Sequence, residues 1–309
     1  FDDVIIGALH ANPNGRSSAG SSYVVFGKAS GFDAVMDLSS LDGSNGFRLD
    51  GEVAGDASGR SVSDAGDVNG DGFDDVIVGA SGAVGVKPNG NSSGFSYVVF
   101  GKASGFDATI DLSSLDGSNG FRLDGEAVDD YSGRSVSSAG DVNGDGFDDV
   151  IVGAFGADPN GSHSGSSYVV FGKASGFDAK MNLSSLDGSN GFRLDGEASG
   201  DGSGRSVSSA GDVNGDGFDD VIISAVGADP NASSYVVFGK ASGFEATMNL
   251  SGLDGSNGFR LDSETTHDAF GLSVSSAEDV NGDGFDDVII GAPFADPNGT
   301  HSGSSYVVF

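Results

Sequence analysis

The stretch Asp67-Val68-Asn69-Gly70-Asp71-Gly72-Phe73-Asp74-Asp75 recurs unchanged at residues 141–149, 212–220 and 279–287. Within it, oxygen-bearing side chains stand at positions one, three, five and nine, and position seven can add its backbone carbonyl. Glycines at positions four and six permit the tight turn that would gather these oxygens around one hard cation, calcium more readily than magnesium. Three carboxylates about 5 Å apart repel by roughly 3 kcal/mol per pair at an effective dielectric of about 20, so an empty loop of this kind is expected to be strained. A solvated turn accounts for the glycines and the asparagine but not for three spaced acids. An EF-hand shares the first half of the pattern. Its twelfth position requires a bidentate acid, and here that position holds Val78, Val152, Ile223 or Ile290.

Strand-like segments flank the loop. Asp75-Val76-Ile77-Val78-Gly79-Ala80 and Tyr97-Val98-Val99-Phe100 are continuous apolar runs, which suit strands covered on both faces. Gly120-Phe121-Arg122-Leu123-Asp124 alternates apolar and charged residues, as an outer strand with one wet face would. Ser135-Val136-Ser137-Ser138-Ala139 is built of small residues, which a crowded inner strand requires. The Phe of Phe-Asp-Asp-Val falls at Phe1, Phe73, Phe147, Phe218 and Phe285. These marks divide the 309 residues into a single repeat array with units 1–72, 73–146, 147–217, 218–284 and 285–309, the last partial.

Four short strands in a unit of about 70 residues predict an all-β fold, a β-propeller of four-stranded blades with little helix. Three complete blades are flanked by two partial ones, so parts of five are expected, as a section of a larger ring or array. Near-identity of the units makes strand sharing between chains a route to self-association.

Lys and Arg number 14 against 46 Asp and Glu, a net charge of −32, which repels nucleic acid and anionic membrane and favours divalent cations as partners. With no cysteine, disulfides, zinc-thiolate sites and thiol nucleophiles are excluded. The longest apolar runs are a few residues, too short to span a bilayer, and no secretory leader is legible at Phe1.

Together these features resemble the FG-GAP repeats of integrin α-chain propellers and their bacterial relatives. The resemblance is carried by the four loops, by the Asp-Asp-Val-Ile-Val-Gly-Ala that follows them and by the Gly-x-Ser-Val that precedes them. It is fullest in the last unit, with Phe270-Gly271-Leu272-Ser273-Val274 before the loop and Gly291-Ala292-Pro293 after it. The other units carry Ser58-Gly59, Ser132-Gly133 and Ser203-Gly204 in place of Phe-Gly, and Ser81, Phe155 and Val226 in place of the proline. The resemblance implies about four structural Ca2+ sites. Their ligands would be Asp67, Asn69, Asp71, the carbonyl of Phe73 and Asp75; Asp141, Asn143, Asp145, Phe147 and Asp149; Asp212, Asn214, Asp216, Phe218 and Asp220; and Asp279, Asn281, Asp283, Phe285 and Asp287. The opening unit keeps only Phe1 and Asp3 of its loop. Family propellers close with seven blades, against parts of five here.

The weaker signals have plain readings beside functional ones. Arg60, Arg134 and Arg205 recur just before the inner strand and would form either an anion-binding ring or salt bridges to the acidic loops. Lys28, Lys102, Lys173 and Lys240 follow the Tyr-Val-Val-Phe strand and read as protection of an exposed edge. His10, His163, His267 and His301 read as solvated loop residues, and Asn-x-Ser/Thr occurs at Asn91, Asn160, Asn182, Asn231, Asn249 and Asn298. By resemblance, the turns at 158–161, 229–231 and 296–299 lie on the face opposite the loops, where integrin-like propellers contact ligand.

The expected function is that of a calcium-stabilised extracellular structural or adhesion propeller, binding a cell-surface protein or glycan or assembling with itself. Alternatives are a lectin-like carbohydrate-binding propeller and the non-catalytic propeller module of a larger secreted enzyme. Catalysis is not expected, because no clustered His–acid pair is present and the abundant acids are committed to the loops.

Overall fold

The computed structural model describes residues 1–83, 92–228, 232–265 and 267–309. Five sheets follow one another along the chain. The first blade holds β1 (Val4–Ala8), β2 (Ser21–Val25) and β3 (Gly46–Asp50). The second holds β4 (Ser61–Gly66), β5 (Asp75–Ala80), β6 (Phe95–Val99) and β8 (Gly120–Asp124). The third holds β9 (Ser135–Gly140), β10 (Asp149–Ala154), β11 (Ser166–Val170) and β13 (Gly191–Asp195). The fourth holds β14 (Ser203–Gly211), β15 (Asp220–Ala225), β16 (Ser233–Val237) and β18 (Gly258–Asp262), and the last β19 (Ser273–Glu278), β20 (Asp287–Ala292) and β21 (Ser304–Val308). Neighbouring strands of a blade are antiparallel, with the small-residue strand at one edge and Gly-Phe-Arg-Leu-Asp toward the other. This is an all-β propeller of four-stranded blades, parts of five being present. Among the described residues, helix is confined to five three-residue 3-10 turns.

The core lies between blades, which explains the unbroken apolar runs. Ile77 and Val98 of the second blade pack with Val150, Val152, Tyr168 and Val170 of the third. Ile151 and Val169, on the opposite face of that third sheet, pack with Val221, Ile223, Tyr235 and Val237 of the fourth. Each of the three inner sheets thus gives alternate side chains to the blade before and the blade after, whereas the first and last sheets leave side chains such as Val4, Ile6 and Val307 exposed.

The inner strands stand close enough for side-chain to backbone bonding. Ser61 Oγ accepts from Val136 N at 3.1 Å, and Ser135 Oγ accepts from Val207 N at 3.1 Å. A larger residue than serine at these places would hold the strands apart. The same closeness makes Gly153 obligatory in β10, since a Cβ there would lie 2.0 Å from the carbonyl oxygen of Gly204 on the next blade.

One element was not legible as a strand. The segments β7 (Thr109–Asp111), β12 (Lys180–Asn182) and β17 (Thr247–Asn249) each reach back and pair in parallel with the outer strand of the preceding blade, on β3, β8 and β13 respectively. Just before each, a phenylalanine stacks on the phenylalanine of that outer strand: Phe106 on Phe47, Phe177 on Phe121 and Phe244 on Phe192, with centroids 4.5, 4.7 and 4.8 Å apart. The outer strands are therefore not half wet, as their alternation predicted. Arg122 is 7% exposed, Asp50 0% and Asp195 5%. On β18, which carries no such cap among the described residues, Arg260 and Asp262 are exposed and the alternation reappears.

The arginines of the outer strands form a polar latch between blades. Arg122 donates to Glu52 of the preceding blade at 2.8 Å while also pairing with Asp124, and Tyr97 Oη donates to the same Glu52 at 3.2 Å. Arg193 with Glu126, and Arg260 with Glu197, repeat the contact.

Candidate cation loops and the joints between blades

Each acidic loop connects an inner strand to the next strand of its own sheet: β4 to β5, β9 to β10, β14 to β15 and β19 to β20. Positive φ at Gly70 (71°) and Gly72 (86°) turns the chain back on itself, a conformation with little penalty only for glycine. The carboxylate at position one then sits inside the turn. Asp67 Oδ1 accepts from Asp71 N at 3.0 Å and its Oδ2 from Gly72 N at 2.8 Å. At position five, Asp71 Oδ1 accepts from Phe73 N at 3.0 Å. Asp141, Asp212 and Asp279 repeat the first arrangement, each with a further bond from the position-four glycine.

Position nine is the buried end of the loop. Asp75 Oδ2 accepts from Val68 N at 3.1 Å and its Oδ1 from Gly101 N at 2.7 Å, so one carboxylate ties the loop to the end of β6. Burial, with Asp71 and Asp67 adding like charge, pushes its pKa up to about 7. Asp149 is pushed to about 8 and Asp220 to about 7, again mainly by burial. Asp287 is 1% exposed, and its Oδ2 accepts from Val280 N at 2.9 Å. In the opening unit Asp3 Oδ1 accepts from Gly27 N at 2.8 Å, keeping the strand-tying bond of position nine.

Among the described residues, no three Asp, Glu, His or Cys side chains already stand as a preformed metal cage. The loop carboxylates are spent on backbone amides of their own turn, the arrangement that lowers their mutual repulsion when no cation is present. The donor set nevertheless fits a hard cation. It is all oxygen, three of its acids belong to one nine-residue turn, and the innermost acid is buried where only a proton or a cation can neutralise it.

Position eight, to which sequence reasoning gave no role, joins the blades. Asp148 Oδ2 accepts from Asp67 N of the preceding blade's loop at 2.7 Å, and Asp148 N donates to Asp67 O at 3.3 Å. Asp219 does the same for Asp141, and Asp286 for Asp212. The neighbouring phenylalanine closes over the turn: a Cβ on Gly70 would meet the Phe147 ring at 2.3 Å, and one on Gly144 the Phe218 ring at the same distance. Lys173 N donates to Val68 O at 3.0 Å as a further tie. The signal was present in the repetition, because Asp74, Asp148, Asp219 and Asp286 are invariant among the copies although their position cannot join the alternate oxygens.

Other expectations fared differently. The lysines after the third strand do not guard an edge; Lys102, Lys173 and Lys240 each place Nζ 4.9 Å from the centroid of Phe106, Phe177 and Phe244, bracing the ring that caps the preceding blade. Asn182 and Asn249 cap 3-10 turns through bonds from Ser184 N and Ser251 N. In the 158–161 turn Asp158 accepts from His163 N and Asn160 Nδ2 donates to Gly196 O at 2.8 Å, so its polar groups are used locally. Asn298 N donates to Ser302 Oγ at 3.1 Å in the corresponding turn of the last blade. Asn91 and the 229–231 turn lie outside the described residues. No helix among the described residues is long and apolar enough to cross a membrane.

The profile of the FG-GAP repeat matches residues 59–99, 132–170, 203–238 and 270–308. Each match spans an inner strand, its loop and the next two strands. Among curated relatives, integrin alpha-V of Gallus gallus is 29% identical over 234 residues, covering 74% of this chain and 19% of that protein. Integrin alpha-4 of Xenopus laevis is 30% identical over 182 residues, covering 57% and 16%, and integrin alpha-PS5 of Drosophila melanogaster is 32% identical over 179 residues, covering 56% and 16%. The chain spans about a fifth or less of the length of these relatives.

Proposed function

The chain belongs to the FG-GAP repeat family, and from that premise we propose that it is a non-catalytic, adhesion-type propeller module whose blades are held in register by calcium. Four cations per chain would be held by the oxygens of Asp67, Asn69, Asp71, Phe73 and Asp75 and by their counterparts in the other three loops, the side chains at positions one, three, five and nine and the carbonyl at seven. A bound cation supplies positive charge where three carboxylates meet, and so removes both their mutual repulsion and the cost of ionising the buried acid.

The reading rests on one observation above others. The loop that presents these oxygens is the same loop that the next blade grips through Asp148, Asp219 or Asp286. Fixing the loop therefore fixes the blade that follows. Sites of this open, solvent-facing kind fill at calcium concentrations typical outside cells, which supports placement in the extracellular space or at a cell surface. Similarity to integrin α-chains supports a cell-surface or matrix partner for the module.

Equilibrium dialysis against radioactive calcium tests the proposal. About four ions per chain are expected to bind at millimolar free calcium, and Asp145→Ala is expected to remove one of them. Fewer than one ion per chain would refute the assignment.

A further inference from the structure

Eight arginines occur in the chain, and the structure sorts them into two groups. Arg16, Arg48, Arg122, Arg193 and Arg260 all form ion pairs. Arg60, Arg134 and Arg205, the three that recur just before the inner strands, form none among the described residues. In a chain with 46 acids this decides between the two expectations for the recurring arginine: it does not bridge to the acidic loops. Nor could it, since the loop begins after Gly140, at the far end of β9 from Arg134, roughly 20 Å away for a strand of this length.

Two of these arginines converge. Arg134, on the third blade, and Arg205, on the fourth, each place the guanidinium carbon 5.8 Å from the ring centroid of Phe155, which follows β10. The Tyr131 ring stacks on Phe155 with centroids 5.5 Å apart and planes 19° from parallel. All four side chains are neither fully buried nor fully exposed. The cluster belongs to one blade junction only, because the residue at the place of Phe155 is Ser81 in the second blade and Val226 in the fourth.

We propose that the Arg134, Arg205, Phe155 and Tyr131 cluster binds an acidic sugar residue, a pyranose bearing a carboxylate or sulfate. Each guanidinium presents paired N–H donors matched to the two oxygens of such a group, and neither forms an ion pair among the described residues. Phe155, with Tyr131 stacked on it and both guanidiniums over its ring, sets the positions of the other three side chains, and the Tyr131 face turned away from it is a flat apolar surface about the size of a sugar's C–H face. A pyranose with one acidic substituent meets both features at once. The net charge of −32 repels long polyanions, so a single acidic unit, such as a chain terminus, is favoured over a densely charged polymer. This site is separate from the cation loops and does not depend on them.

The test is a titration of the whole chain with glucuronate, glucose and sodium sulfate, followed by NMR of the aromatic resonances in about 150 mM salt. Glucuronate is expected to shift Phe155 and Tyr131 saturably, with glucose and sulfate each at least tenfold weaker. Arg134→Ala and Arg205→Ala should each weaken glucuronate at least tenfold, and Phe155→Leu should weaken it with the arginines intact. Thermal melts of the variants establish that they remain folded. The proposal is overturned if glucuronate causes no shift, if the folded arginine variants bind it as wild type does, or if sulfate alone binds as tightly and the sugar ring contributes nothing.

Discussion

Asp148 and Asp67, on adjacent blades, exchange two hydrogen bonds: the Asp148 carboxylate accepts from the Asp67 amide at 2.7 Å, and the Asp148 amide donates to the Asp67 carbonyl at 3.3 Å. Asp67 opens one acidic loop and Asp148 immediately precedes the buried acid of the next, so neighbouring loops are in direct backbone contact. Asp148→Ala leaves the Asp67 amide without its acceptor and is expected to cost about 1–3 kcal/mol. Hydrogen exchange should show the loss first at the Asp67 amide, with the Asp212 amide, clamped by Asp286, unchanged.

Gly153 tests how tightly the blades are apposed. A methyl group there meets the Gly204 carbonyl at 2.0 Å, and backbone on the next blade cannot rotate away as a side chain could. Gly153→Ala is expected to destabilise the chain by about 1–3 kcal/mol in a denaturant melt. Gly176→Ala, where nothing lies within 4 Å of the added carbon, meets no such obstruction and reports only the strain of its positive φ.

Phe177 carries the third unit's cap onto the second blade, where it stacks on Phe121 and is covered by Lys173. Truncation to alanine removes both contacts and uncovers the outer strand, at an expected cost of about 2–4 kcal/mol in chemical denaturation. The parallel pairing of Lys180 to Asn182 with Arg122 to Asp124 should loosen with it, read as faster exchange of the Arg122 amide, which donates to Ala179 O.

The pH dependence of the metal-free chain has a definite sign. Burial raises Asp56 and Asp130 to about 6 from an ordinary 3.8, and each accepts a compensating backbone bond that does not offset the burial. A raised carboxylate pKa means that ionisation opposes folding. The stability is fully present with the acid protonated and is lost as pH rises from about 4 to about 6. Asp37, Asp42, Asp116, Asp187 and Asp254 are shifted the other way by bonds from serines, and their contribution is lost only as pH falls below the ordinary value. In chelator, the melting temperature is therefore expected to rise as pH falls from about 7 to about 4.5 and to drop below about 3.5. A melting temperature that falls steadily on acidification from neutrality would contradict these assignments.

Much of this architecture was legible in the sequence because the repeat states it several times. The runs at 75–80 and 97–100 have apolar side chains on both faces, and only a strand enclosed between two neighbours uses both. The cap at Thr109 to Asp111 escaped notice for the opposite reason. Three residues show no periodicity, and their partner, Arg48 to Asp50, lies about 60 residues earlier in the chain. Asp148 was overlooked because its role is addressed to another blade. Within its own loop it falls between the alternating oxygens, and only the spatial succession of blades gives it a function.

Calcium dependence of the melting temperature addresses the central claim most directly. If each loop holds one ion, free calcium at about 100 times the dissociation constant contributes roughly 2.7 kcal/mol per site, and the melting temperature should climb with the logarithm of free calcium and fall back on chelation. Asp71→Ala, Asp145→Ala and Asp216→Ala should each remove part of that gain, and by more than they lower the melting temperature in chelator, where each gives up only the bond from Phe73 N, Phe147 N or Phe218 N. A melting temperature unchanged between chelator and millimolar calcium would contradict the account.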